Sequence, residues 1–280
     1  LTTPASRTRT SEFEEQFTGG LRTASRVKTG IIELDEMLHG GFMGGDAVLV
    51  AGSAGSGKTT LSLQYLVNGI VKFGEPGIYV TFEQMPDQIY RDAKSFGWDL
   101  RKLEQENKFR LICTSPDLLL ESQGENLLDE TIKEIHPRRI VIDSMSHLEM
   151  FLPKGDLRKE AYRIVSYLKT KGMSSILIWE AGQMTGNSFS VTEAGLSFLV
   201  DCIVALKPIE IESSVRKALA ILKMRGSDHD KQLRQFEITP TGIKIESAFS
   251  NYEGLMSGSP RRVASEKFVE LFRSASEKHK

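Results

Sequence analysis

Cysteine is scarce, with only Cys113 and Cys202 in 280 residues. Two thiols cannot staple a chain of this length, so a disulfide-held scaffold is excluded. Both sit in apolar runs and read as small buried side chains. A reducing compartment, and with it a cytoplasmic setting, is the expectation. Long apolar runs are missing as well. No run reaches the roughly 18 residues that a membrane-spanning helix needs. The opening LTTPASRTRTSEFEEQF has no apolar signal-peptide centre. Neither sign of charge dominates. Lys and Arg total 36 against 37 Asp and Glu, a formal charge of -1. A general polyanion-binding surface is therefore not indicated. No period repeats along the chain, which sets aside solenoids and arrays.

What is present is enough apolar material for a core that needs no staple, 40% of residues. Residues 1–28 are polar, rich in Ser and Thr, with five basic and three acidic side chains. They read as a mobile arm for a partner to order. Residues 29–253 read as one domain. Its first part alternates strands and helices. Strands are predicted at 46–52, 79–82, 109–112, 138–143 and 174–180, and helices at 58–72, from Pro86 onward, at 125–136 and at 157–171. Pro86 suits a first helical turn, where its missing N–H costs nothing. Ile89, Ala93 and Phe96 then give that helix an apolar face. The strands are apolar nearly throughout, which predicts an α/β fold whose mainly parallel sheet is covered by helices on both faces. Beyond residue 198 the rhythm changes. Strands at 199–206, 217–224 and 234–239, with a turn at 239–242, predict an antiparallel extension. The tail, 254–280, carries the interrupter SGSPRR and then a short amphipathic helix built on Ala264, Phe268, Leu271 and Phe272. Such a helix is marginal unless a partner surface covers it.

The sharpest motif is GSAGSGKT at 52–59, a full phosphate-loop pattern directly after a predicted strand. Gly52, Gly55 and Gly57 let the backbone curl so that N–H groups converge on phosphate oxygens. The following helix adds its positive end. Lys58 supplies a cation for the β- and γ-phosphates, and Thr59 a hydroxyl for Mg²⁺. Candidate nucleotide contacts are thus Gly52, Ser53, Ala54, Gly55, Ser56, Gly57, Lys58 and Thr59, with Thr60 beside them. Asp143 ends an apolar strand, where ligands of open α/β sheets sit. It is the candidate to hold water on the metal, with Ser144 to help orient it. Glu83, at the end of GIYVTFE, is the candidate general base, for water or for a protein hydroxyl. A helix-capping or surface glutamate is the plain alternative. Gln84 beside it cannot serve as a base.

Three further sites are candidates. Lys223 and Arg225 alternate with Met224 at the end of an apolar strand, so they point to one side. They are candidates to stabilise charge during phosphoryl transfer, on their own nucleotide or a neighbour's. Otherwise they form a solvated basic hairpin end. Ser227, His229 and Asp230 follow a turn at Gly226. His229 and Asp230 can meet ribose, base or an opposing chain. Gln183, just past a strand ending in Glu180, is a candidate γ-phosphate sensor or a plain loop residue.

Several stretches together resemble the KaiC-like branch of the RecA/RadA ATPase superfamily. They are TGIIELDEMLHGGF, GSAGSGKTT, GIYVTFEQMPDQI, RRIVIDSMSHL and KMRGSDHDKQLRQFEIT, and the resemblance spans roughly residues 27–262. It implies a RecA-like P-loop core, ATP and Mg²⁺ binding, ATP hydrolysis, and assembly of identical subunits into a ring, commonly hexameric. Nucleotide would sit at subunit interfaces, with Lys223 and Arg225 presented to the neighbour's γ-phosphate. Ser227, His229 and Asp230 would lie in the same interface. Lys58, Thr59 and Asp143 would take the usual roles. Glu83 would be the first of an often paired set of acidic residues whose second member is Gln84 here. Clock proteins of this branch fuse two such domains, and these residues have room for one. The second domain of those proteins autophosphorylates neighbouring hydroxyls. The corresponding position is Ser197, followed here by Phe198, with Thr192 as an accessory site. A switch whose ring contacts follow nucleotide state is the leading functional reading, with room for an unidentified protein partner. A RadA-like DNA-binding repair ATPase is the main alternative, kept open by the basic residues of the arm. An assembly scaffold that barely turns ATP over is the second.

Overall fold

Strands whose side chains are buried on both faces must be covered on both faces, and that requirement organises the molecule. The computed structural model describes residues 25–119, 126–152, 156–181, 196–250, 252–257 and 259–263. The arm up to residue 24, Gln183, Thr192 and the helix expected at 264–272 lie outside the described residues.

A nine-stranded sheet runs in the order β11-β10-β9-β8-β3-β7-β6-β4-β5. Its parallel part comprises β3 (Ala47–Gly52), β4 (Gly77–Thr81), β5 (Phe109–Cys113), β6 (Arg139–Asp143) and β7 (Ser174–Glu180). β8 (Cys202–Ile211) is also parallel to β3. β9 (Ser214–Met224), β10 (Arg234–Thr239) and β11 (Gly242–Ala248) complete the sheet antiparallel. Every parallel strand therefore ends on the same edge. Two short strands, β1 (Arg26–Val27) and β2 (Phe42–Met43), pair separately beside the start of β3.

The period-two alternation of β3 shows how the core divides. Val48 and Val50 face a layer that includes Leu61, Tyr65 and Leu66 of helix α2 (Lys58–Phe73). Ala47, Leu49 and Ala51 face the opposite layer, with Ala161, Ile164 and Leu168 of the helix Leu157–Thr170. The helix Ile32–Met37 (α1) adds Leu34 and Met37 to the α2 side. The helix Pro86–Ser95 adds Ile89 and Ala93. Phe96 falls one residue past that helix and stacks on Trp98, with ring centroids 4.8 Å apart. Among the described residues no helix is long and apolar enough to cross a membrane.

Three expectations need correction. Cys113 is exposed, because it ends β5, which is the edge strand among the described residues; Cys202 is buried. The strand expected at 199–206 begins at Cys202, and Leu196–Phe198 form a 3₁₀ turn instead. That strand lies parallel to β3, so antiparallel pairing starts only with β9.

Candidate active site

β3 ends at Gly52 and α2 begins at Lys58, so the residues between must curl back within one turn. Gly57 has φ 103°, in the left-handed region that favours glycine. At Gly52 a Cβ would lie 2.5 Å from both the Leu206 carbonyl oxygen and Ser56 Oγ. The helix that follows has no side-chain N-cap and no acidic residue in its first turn. Its first N–H groups and positive end are thus left for an anion. The hydroxyls of Ser53 and Ser56 are buried without hydrogen-bond partners. Ala54 and Gly55 are exposed at the tip, and Thr60 lies half-buried on the first helical turn. The Gly55 carbonyl accepts a hydrogen bond from Lys217 Nζ at 2.5 Å, which pins the tip to β9.

Lys58 Nζ folds onto the loop itself and donates to the carbonyls of Gly52 and Ser53 at 2.9 and 2.8 Å. Burial pushes its pKa down, and the negative charges of Glu180 and Asp143 act in the opposite direction. Thr59 Oγ1 donates to Asp143 Oδ2 at 2.8 Å, joining the start of α2 to the end of β6. Tyr79, fully buried on β4, donates its phenol to the same oxygen at 2.5 Å. Burial raises the Asp143 pKa, while these two hydrogen bonds and Lys58 hold it down. A hydroxyl and a carboxylate are hard oxygen donors. They suit Mg²⁺, which takes few protein ligands and completes its shell with phosphate oxygens and water. Among the described residues no cluster of three or more His, Cys, Asp or Glu forms a metal cage.

Glu83 lies just past β4, its backbone N–H on Thr81 Oγ1 at 3.3 Å and its side chain 70% exposed. It is close enough for its charge to bear on Asp143. His147 Nε2 stands 3.5 Å from its Oε2.

Lys223 and Arg225 sit elsewhere. Lys223 Nζ donates to the carbonyls of Ser197 and Val200, both at 2.7 Å. Arg225 donates to the Phe198 carbonyl at 2.8 Å and lies 3.7 Å from Asp201 Oδ1. Asp201 in turn bonds the Ala47 N–H at 3.0 Å and pairs with Lys169 at 2.6 Å. These groups gather at the start of β3, whereas the phosphate loop leaves its end. Five strand residues at about 3.3 Å each put roughly 16 Å between them. A cavity of about 520 Å³ opens at that far end, lined in part by Asp46, Lys169, Asp201 and Arg225. Ser227 accepts a hydrogen bond from Arg26 at 2.5 Å, and the Asp230 backbone N–H bonds the Met37 carbonyl at 2.8 Å. Asp230 also takes two hydrogen bonds from Arg234, and His229 Nδ1 is buried without a partner.

The structure thus brings Lys58, Thr59, Asp143 and Glu83 to one edge, and sets Lys223, Arg225 and Ser197 at the other. Tyr79, Lys217 and His147 escaped the reading of the sequence. Only Tyr79 left a signal there, since a phenol inside an apolar strand must find a buried acceptor.

A strand, a glycine curl, an uncapped helix and an acidic partner two strands away define the class: a P-loop NTPase with a RecA-like sheet. The chain belongs to the KaiC ATPase family, for the family described as "ATPase: KaiC" matches residues 27–249. The circadian clock oscillator protein KaiC of Thermostichus vulcanus is 32% identical over 250 residues, covering 89% of this chain and 48% of that protein. That of Nostoc sp. is 34% identical over 248 residues, covering 89% and 47%. That of Acaryochloris marina is 34% identical over 250 residues, with the same shares. The chain spans about half the length of the curated relatives it matches.

Proposed function

We propose that the protein binds Mg·ATP at residues 52–59 and hydrolyses it in a ring of identical subunits, hexameric, working as a nucleotide-dependent switch. The observation that carries this reading is the Thr59–Asp143 junction at 2.8 Å, set on an uncapped helix behind a glycine curl. The loop N–H groups and the hydroxyls of Ser53 and Ser56 take phosphate oxygens, and Lys58 leaves the carbonyls of Gly52 and Ser53 to reach the β- and γ-phosphates. Thr59 and Asp143 would hold Mg²⁺, which would supply positive charge to offset that of the phosphates. Tyr79 keeps the Asp143 carboxylate turned toward Thr59. Glu83 orients the attacking water and takes its proton.

Lys223 and Arg225 act on the nucleotide of a neighbouring subunit. Their separation from their own loop, and their fixed seats on the 197–201 backbone, support a role across an interface. Phe198, 69% exposed beside them, adds apolar surface of the kind subunit contacts bury. By the same placement, phosphoryl transfer to Ser197 would be an event between subunits.

Glu83→Gln tests the hydrolytic part. Turnover of ATP should fall by about 100-fold or more, while nucleotide affinity stays near that of the parent. Undiminished turnover by the folded variant would remove Glu83 from the mechanism.

A further inference from the structure

We propose that His147 is the positioning residue of Glu83, held in that role by the hydroxyl of Ser144. The inference rests on Glu83 as general base and adds the group that sets its geometry.

Glu83 needs such a group. Its side chain extends from a turn into solvent, and its backbone alone is anchored, through Thr81. A freely rotating carboxylate spends little time in the one orientation that can receive a proton from an attacking water. His147 follows Asp143 in the chain, on a mount that does not move freely. It closes the 3₁₀ turn Met145–His147, whose flanking Met145 and Leu148 are buried at 1% and 0% exposure. Between them Ser146 Oγ accepts the backbone N–H of Glu180 at 2.6 Å, tying the turn to the end of β7. The imidazole is only 20% exposed.

Its two nitrogens face two different groups. Nδ1 lies 3.2 Å from Ser144 Oγ, and Nε2 lies 3.5 Å from Glu83 Oε2. With the serine hydroxyl donating to Nδ1, the ring proton sits on Nε2 and points at the carboxylate. One carboxylate oxygen is thereby held, and Oε1 is left to face the attacking water. The hydroxyl and imidazole follow the end of β6 and the carboxylate the end of β4, its neighbour in the sheet. This supplies, from a different element, an orienting contact that the neutral Gln84 does not give.

The test is steady-state ATP hydrolysis by the 280-residue chain. His147→Ala should lower kcat about tenfold with KM for ATP within about twofold of the parent. His147→Gln, whose amide N–H reaches the Nε2 position, should recover kcat to within about threefold. In a Glu83→Gln background, adding His147→Ala should change nothing further. Unchanged kcat in His147→Ala, or an equal loss in both backgrounds, overturns the proposal. If His147→Ala does not fold, Ser144→Ala puts the same question, because it keeps the ring and frees its tautomer. A several-fold loss of kcat at constant KM is then expected, and none would reject the idea. Wild-type turnover by Glu83→Gln alone would instead defeat the base assignment on which the proposal stands, which is a separate result.

Discussion

Lys58→Ala should bind ATP at least about 100-fold more weakly, since losing a buried charged contact costs about 3 kcal/mol or more. Lys58 follows the loop directly, with its ammonium folded back on the Gly52 and Ser53 carbonyls. Those carbonyls show where the charge rests, and the uncapped start of α2 shows where an anion would come to meet it. Alanine removes the cation and leaves the curl, because Gly52 and Gly57 set the backbone path independently. The variant should therefore fold normally by circular dichroism while calorimetry with Mg·ATP gives little heat. Affinity equal to that of the parent would mean that the triphosphate is held elsewhere.

Arg139→Ala should unfold roughly 5 °C lower, a loss of about 3 kcal/mol in a chain of this size. Arg139 is 0% exposed at the start of β6. Its guanidinium donates to Glu75 at 2.7 Å, to the Tyr65 carbonyl at 2.9 Å and to the Lys28 carbonyl at 2.8 Å, and lies 4.4 Å from the centre of the Tyr65 ring. Alanine strands two carbonyls and one carboxylate and opens a void beneath α2. Glu75 keeps partial solvent access, which places the cost at the low end for a broken buried pair. Gly69 in α2 belongs to the same arrangement, since a Cβ there would lie 2.4 Å from Arg139 Nε. Differential scanning fluorimetry decides the matter, and a midpoint within about one degree of the parent, about 0.6 kcal/mol or less, would show that the pocket relaxes around the loss.

Arg139 also marks how far the sequence could be read. Ile140, Val141 and Ile142 announce a strand by apolarity alone, and β6 is where it was expected. The same holds for β3, for α2 and for β7, because each carries its own periodicity and punctuation. That the arginine beginning β6 is the largest fully buried side chain depends on Glu75 and Lys28, which are distant in the chain, and no local pattern carries that information. β11 went unseen for a related reason. Its half-polar sequence is held as a strand partly by Gln64 of α2, whose side-chain amide bonds both the N–H and the carbonyl of Ile243. In the site, the phosphate loop was legible because its chemistry needs a fixed spacing within eight residues. Thr59, Asp143 and Glu83 were expected around one nucleotide, and the parallel register of β3, β7, β6 and β4 is what brings them to one edge. His147 looked like any turn histidine, since its two partners come from different strand ends.

We propose that each site is completed by two chains: one supplies the loop with Lys58, and the next supplies Lys223 and Arg225. Subunit mixing tests it most directly. Lys58→Ala and Arg225→Ala proteins are each expected to be nearly inactive as ATPases. Mixed in equal amounts under conditions of verified subunit exchange, they should regain activity at about one interface in four, the random share that pairs an intact loop with an intact arginine. Activity that stays at the sum of the two separate proteins, with exchange demonstrated, would contradict the account.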